Sequence, residues 1–101
     1  MTILPLSDEA LANARHSLPE WQLLPDGYLS REVRFESFKA LMAFVNRLAD
    51  EAERQQHHPR LVLEYTTLRI DWMTHEAGGV TARDVAMARW CNDQLSANCN
   101  Y

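Results

Sequence analysis

Between Ser37 and Pro59 the sequence leaves the backbone little choice. Phe38, Leu41, Met42, Val45, Leu48, Ala49 and Ala52 recur at intervals of three and four residues. On a helix of about 3.6 residues per turn, that spacing draws them into one apolar stripe. Ser37 stands where an N-cap is wanted, and Pro59 disfavours helical geometry at His58. The spacing therefore predicts a helix of about 18 residues ending near His57. Such a stripe is the side of a helix that must be covered by another element; it reads as core, not as a cofactor box. Phe44 falls off its centre and is assigned to a contact with a second subunit.

The covering surface is read from alternation. From Leu29 to Glu36, Leu29, Val33 and Phe35 face one way and Ser30, Glu32, Arg34 and Glu36 the other, with Arg31 interrupting the apolar side. This is the pattern of a half-buried antiparallel strand. Two more strand-like runs follow, Leu61 to Thr66 and Leu68 to Thr74. Leu61, Leu63 and Tyr65 share a face of the first, Leu68, Ile70 and Trp72 a face of the second. The parity changes between them, so a tight turn or bulge is expected near Thr66-Thr67. Trp21 to Leu24, ahead of Pro25-Asp26-Gly27, reads as a short strand entering a turn.

Two further helices flank these strands. One starts at Ser7-Asp8-Glu9 and runs to about Ser17, before Pro19. The last opens at Thr81-Ala82-Arg83-Asp84, which resembles a capping box, and carries Met87, Ala88, Cys91 and Leu95 as its stripe. The order is α-β-β-α-β-β-α. The expected fold is α+β in two layers, a four-stranded antiparallel sheet covered on one face by three helices. No repeats or linkers interrupt it, so residues 1–101 are expected to form one domain.

Composition narrows the partners. A chain of 101 residues buries at best about two thirds of its unfolded surface. With 47% hydrophobic residues, apolar surface is left over and self-association is expected. A net charge of −4 argues against nucleic acid, whose phosphates call for a basic footprint. No apolar run approaches the ~20 residues that span a bilayer, and MTILPLSDEA lacks the basic and apolar regions of a secretory signal. A soluble cytoplasmic protein is expected. Cys91 and Cys99, if on one helix, stand roughly 12 Å apart, beyond the ~7 Å a disulfide tolerates. Both read as free thiols.

Three of the four histidines, His57, His58 and His75, lie between Glu53 and Asp84; the fourth, His16, reads as a surface residue near a helix end. Imidazole, with an ordinary pKa near ~6.5, is the side chain best suited to giving and taking protons near neutrality. Zinc is the rival use. Adjacent histidines seldom converge on one ion, however, and neither His-x-His nor His-x-x-x-His spacing occurs here. No nucleophile motif or phosphate loop accompanies the histidines.

Glu53 one helical turn before His57-His58-Pro59, then Tyr65, Thr74-His75-Glu76, Gly78-Gly79 and Asp84 together resemble the pterin-4a-carbinolamine dehydratases. The likeness continues more loosely upstream through Trp21, Val33-Arg34-Phe35 and the Phe38 to Phe44 segment. Leu61 stands where many members have tryptophan and Ala77 where some have cysteine, differences that bear on pocket shape.

The resemblance implies a hydro-lyase that removes water from 4a-hydroxytetrahydropterin to give quinonoid dihydropterin, with no metal and no organic cofactor. Its catalytic residues would be His57, His58 and His75, with Glu53, Pro59, Thr74, Glu76 and Asp84 around the pterin. His57, at a helix end and beside Glu53, is cast as general acid for the 4a-hydroxyl. His75 is cast as base or second proton carrier, and His58 as a pterin-holding group; the acid and base roles could be exchanged. Beside this stand plainer readings: Asp84 as a capping acid, Glu53 as half of a surface pair, Tyr65 and Trp72 as core.

The resemblance further implies homodimers formed by joining sheets, or homotetramers made of two such dimers. It also implies a link to aromatic amino-acid hydroxylases such as phenylalanine hydroxylase, whose tetrahydrobiopterin-type cofactor the reaction recycles. The alternative is an interaction module, because animal members also serve as dimerisation cofactors for a homeodomain transcription factor. Three retained histidines favour chemistry, since an adaptor has no use for them.

Overall fold

Each helix begins at a residue able to satisfy its orphan amides. Ser7 Oγ accepts from Ala10 N–H at 3.1 Å and Ser37 Oγ from Ala40 N–H at 3.0 Å, the ordinary N-cap contact. At the third helix the capping box closes, with Asp84 Oδ2 accepting from Thr81 N–H at 2.8 Å. In the computed structural model, which describes residues 4–97, these caps open α1 (Asp8–His16), α2 (Phe38–Gln55) and α3 (Ala82–Ala97). The strands are β1 (Gln22–Leu23), β2 (Leu29–Arg34), β3 (Arg60–Glu64) and β4 (Thr67–Trp72), and a 3₁₀ turn, His75–Ala77, precedes α3. Cys99 lies outside the described residues. Among the described residues no helix is long and apolar enough to cross a membrane.

The four strands form one antiparallel sheet in the order β1-β2-β4-β3. The expected α+β architecture is the one observed. Register puts Leu29, Val33, Leu68, Ile70 and Trp72 on one face, where all five are buried. They meet Leu41, Phe44 and Leu48 of α2, and Val85, Ala88, Cys91 and Leu95 of α3, in one apolar cluster. Cys91 is a free thiol there, pushed up to about 12 by its burial. The opposite face carries the row Ser30, Asp71 and Arg60. Asp71, without exposed surface, accepts from Ser30 Oγ at 2.5 Å, Arg60 Nε at 2.8 Å and Arg69 Nε at 3.1 Å.

Two expectations about packing fail for identifiable reasons. Phe44 is not left for a subunit contact: it is 1% exposed, with its ring 5.6 Å from Phe35 and 6.5 Å from Trp90. The seam of α2 runs through Leu41, Phe44, Leu48 and Ala52, because Trp90 of α3 closes over that side. Phe38, in the first turn, is 47% exposed instead. Tyr65 is not core. It occupies the two-residue turn Tyr65-Thr66, one position earlier than expected, at φ 53° and 74% exposed. A left-handed backbone there turns its ring away from the face that Leu61 and Leu63 share.

Candidate active site

The centre of the site is made by the way α2 stops. Gln56 takes the left-handed conformation at φ 51°; Gln56 N–H then returns to Glu53 O at 3.2 Å and His57 N–H to Ala52 O at 3.0 Å. This pair of bonds is the Schellman termination. It swings His57 off the helix and inward, so that only 7% of it is exposed. Its ring stacks on Trp72 with centroids 5.5 Å apart and planes 20° from parallel. Its Nε2 lies 2.5 Å from Asp84 Oδ1. An ionised carboxylate only accepts, so His57 donates Nε2–H and Nδ1 is the ring nitrogen left free.

Asp84 has no exposed surface and is saturated by donors from three elements. Besides His57 and the Thr81 amide, it accepts from Thr74 Oγ1 at 2.7 Å, while the Thr74 and Thr81 hydroxyls lie 2.8 Å apart. One carboxylate thus caps α3, ties the end of β4 to it and fixes the orientation of His57. The capping contact and the contact with His57 are made by one side chain. Arg83, its neighbour, donates Nη2–H to Gln56 O at 2.9 Å and Gln55 O at 3.3 Å, capping carbonyls that the end of α2 leaves unpaired.

His58 points outward. Glu53 pairs with His58 Nε2 rather than with His57, contrary to the expectation from helical spacing. Extrapolating at about 100° per residue fails once Gln56 leaves the helix. His75 enters from the other side. Thr74 N–H bonds Gly79 O at 3.1 Å and Gly79 N–H returns to Thr74 O at 3.4 Å, which closes a small loop around the 3₁₀ turn, with Gly78 at φ 72° where a side chain would be strained. His75 is exposed on that loop, with Nε2 3.3 Å from Tyr28 Oη.

Gln56, His57, His58, Met73, His75, Glu76 and Arg83 line a cleft of about 210 Å³. His57, His58, His75 and Glu76, all singled out from the sequence, therefore meet. Glu53 reaches the cleft only through His58. Thr74 and Asp84 lie buried behind His57, and Pro59 sets the turn without lining the cleft. Gln56, Met73, Arg83 and Tyr28 were not foreseen: Gln56 and Met73 adjoin His57 and Thr74 in the chain but belong to no motif, while Arg83 and Tyr28 arrive through contacts distant in sequence. A second cavity of about 300 Å³, between the end of α2 and α3, shares His57 and Arg83 as its wall. Among the described residues no three His, Cys, Asp or Glu side chains are grouped to hold a metal ion.

Fold and cleft together define a small α+β protein with a histidine-lined site suited to moving protons. The sequence profile of the family "Pterin 4 alpha carbinolamine dehydratase" matches residues 4–94. A protein of Nocardia farcinica, provisionally named a pterin-4-alpha-carbinolamine dehydratase, is 45% identical over 88% of this chain and 93% of its own. One from Thermomicrobium roseum with the same provisional name is 42% identical over 83% and 89%. The crystal structure of a transcriptional coactivator/pterin dehydratase from Brucella melitensis superposes with a TM-score of 0.85 at 29% identity, over 88% of this chain and 96% of that one. The chain belongs to the pterin-4a-carbinolamine dehydratase family of hydro-lyases.

Proposed function

We propose that this chain dehydrates 4a-hydroxytetrahydropterin to quinonoid dihydropterin by proton transfer between imidazoles. The observation that carries this reading is the convergence of His57, His58 and His75 on one cleft. The C4a–O bond breaks with its electrons leaving on oxygen, and a proton from one imidazole completes the water. The N5 lone pair forms the C4a=N5 bond, and the N5 proton passes to the second imidazole. No electron carrier is needed, since the substrate is neither oxidised nor reduced. His57 and His75 exchange the two protons, and His58, held by Glu53, binds the flat bicyclic ring. Glu76 stands at the cleft. Thr74 and Asp84 act through His57 as positioning residues, and Pro59 acts by setting the turn.

The carbinolamine is the product that aromatic amino-acid hydroxylases, phenylalanine hydroxylase among them, leave after each turnover. The reaction therefore belongs to recycling of a tetrahydrobiopterin-type cofactor, in the cytoplasm, where the free thiol of Cys91 is at home. Stopped-flow mixing of enzymatically generated carbinolamine with the wild-type protein tests the reading. Breakdown is expected to exceed the spontaneous rate in proportion to protein concentration. A rate equal to that in buffer alone would end the proposal.

The reading includes a homodimer. β3 ends the sheet, and Leu61, Val62, Leu63 and Tyr65 on or beside it are 36%, 43%, 40% and 74% exposed. An apolar edge strand offers unpaired backbone groups to a second copy, and helix faces could join two dimers into a tetramer. Sedimentation is expected to give at least twice the 11.7 kDa of one chain, and Leu61→Lys/Leu63→Lys to return it to monomer. A monomeric wild type would refute the dimer. The same edge, and the coactivator name of the Brucella melitensis protein, favour an interaction module as the second reading. It gains ground if the protein dimerises but fails the stopped-flow test.

A further inference from the structure

Tyr28 lies outside every motif that points to the cleft, in the turn between β1 and β2, yet it holds one of the three histidines. The turn is built tightly. Gly27 N–H bonds Leu24 O at 2.9 Å and Leu24 N–H bonds Tyr28 O at 2.8 Å. Gly27 sits at φ 94°, and a Cβ there would come within 2.8 Å of Met73 Cε. The turn thus rests directly against Met73, one of the side chains lining the cleft.

From this base the Tyr28 ring reaches His75 edge to face, with centroids 5.9 Å apart and planes at 73°, bringing Oη to 3.3 Å from Nε2. The tyrosine ring is itself clamped. The Arg60 guanidinium carbon sits 3.7 Å from its centroid, a cation over the π face. Arg60 in turn donates to Asp71 Oδ2 at 2.8 Å and Asp26 Oδ2 at 3.2 Å. The phenol oxygen is therefore fixed in space by β3, β4 and the turn. His75, exposed on a three-residue 3₁₀ turn, has no comparable anchor of its own.

We infer that Tyr28 is a positioning residue for His75: its hydroxyl occupies Nε2, fixes the plane of the ring and leaves Nδ1 as the nitrogen that exchanges a proton with substrate. The two ring nitrogens are chemically distinct, and which one is engaged by a neighbour decides which one is free to react. The contact engages Nε2 whether the phenol donates to it or accepts from it, so the assignment of Nδ1 holds in either tautomer. It also makes the site symmetrical in logic: His57 is held at Nε2 by Asp84, His75 at Nε2 by Tyr28, and each keeps Nδ1 for the reaction. The inference rests on the dehydratase reading and adds a residue to it.

Tyr28→Phe keeps the ring, its stack under Arg60 and the turn, and removes only the hydroxyl. With histidine-¹⁵N-labelled protein, the His75 Nε2 resonance is expected to move in this variant while that of His57 stays in place. The kcat is expected to fall about three- to tenfold, the range one hydrogen bond of ordinary strength commands, with KM held within about twofold. Arg60→Gln, which keeps the hydroxyl but releases the ring, is expected to give a smaller change of the same kind. An unmoved Nε2 resonance in Tyr28→Phe overturns the inference whatever the rate, and so does a Tyr28→Phe kcat equal to that of an active wild type. Should the wild type prove inactive in the stopped-flow test, the dehydratase reading fails by itself and the nitrogen resonance still decides whether Tyr28 holds His75.

Discussion

His75→Ala is expected to lower kcat/KM for the carbinolamine by about 10²–10³-fold, within the range a positioned general acid or base contributes. The substitution is clean because His75 is exposed and belongs to no core contact, so the melting temperature is expected to stay near that of the wild type. His57→Ala is expected to cost the same in rate, but not cleanly. It removes a donor from the buried Asp84 carboxylate and a ring stacked on Trp72, and leaving such a group short of a partner costs about 1–3 kcal/mol. The two effects separate by measuring rate in stopped flow and stability by thermal melts on the same samples. The double variant is expected to be little slower than the slower single one, because two groups serving one transition state do not act independently. If both single variants keep rates within about twofold of wild type, the imidazoles do not carry the reaction.

What could be read from the sequence is what neighbours in the chain decide among themselves. The helix caps at Ser7 and Ser37 need only a hydroxyl and the amide three positions on, and the one at Thr81 only its own amide and a carboxylate three positions on. The strands β2 and β4 announce themselves by alternation, which puts Leu29 and Val33 on one face of β2 and Leu68, Ile70 and Trp72 on one face of β4. A slip of two residues would keep those faces, so the register itself comes from the assembled sheet. Phe44 escaped this logic because its burial is decided by Trp90, from another helix. Tyr65 escaped it because a positive φ on a non-glycine residue has no local signature strong enough to outweigh an aromatic in a strand-like run.

The site divides along the same line. That His57 and His58 close α2 is legible from Pro59, whereas their divergence is not. One left-handed residue, Gln56, sends His57 into the core and leaves His58 beside Glu53. Asp84 shows both sides at once. Its bond to Thr81 spans three residues and can be expected from a capping box, while its bond to His57 spans 27 and depends on how α2 and α3 lie together. Tyr28 and Arg83 carry no mark in the sequence at all. They join the site through contacts that only the sheet and the packed helices create.

The carboxylate that makes those long connections is where a single change should do most damage to the fold. Asp84→Ala removes at one stroke the acceptor of His57 Nε2–H, Thr74 Oγ1–H and the Thr81 amide, all in a place without exposed surface. Breaking a buried, hydrogen-bonded pair by removing one partner costs about 3–5 kcal/mol. At roughly 4–8 °C per kcal/mol for a domain of this size, even the lower figure takes about 12–24 °C from the melting temperature. Asp84→Asn separates stability from chemistry. The amide keeps the shape, and its oxygen can stay on the Thr74 and Thr81 side, but its NH₂ then faces His57. His57 must turn from donor to acceptor at Nε2, which places its proton on Nδ1 and hands the cleft the wrong tautomer. The expected result is a melting temperature much closer to wild type than that of Asp84→Ala, with kcat reduced about 10–100-fold, the loss usual when a partner orienting a working histidine is changed. If Asp84→Asn instead turned over like the wild type, Asp84 would be a structural cap alone and His57 would owe it nothing in the reaction.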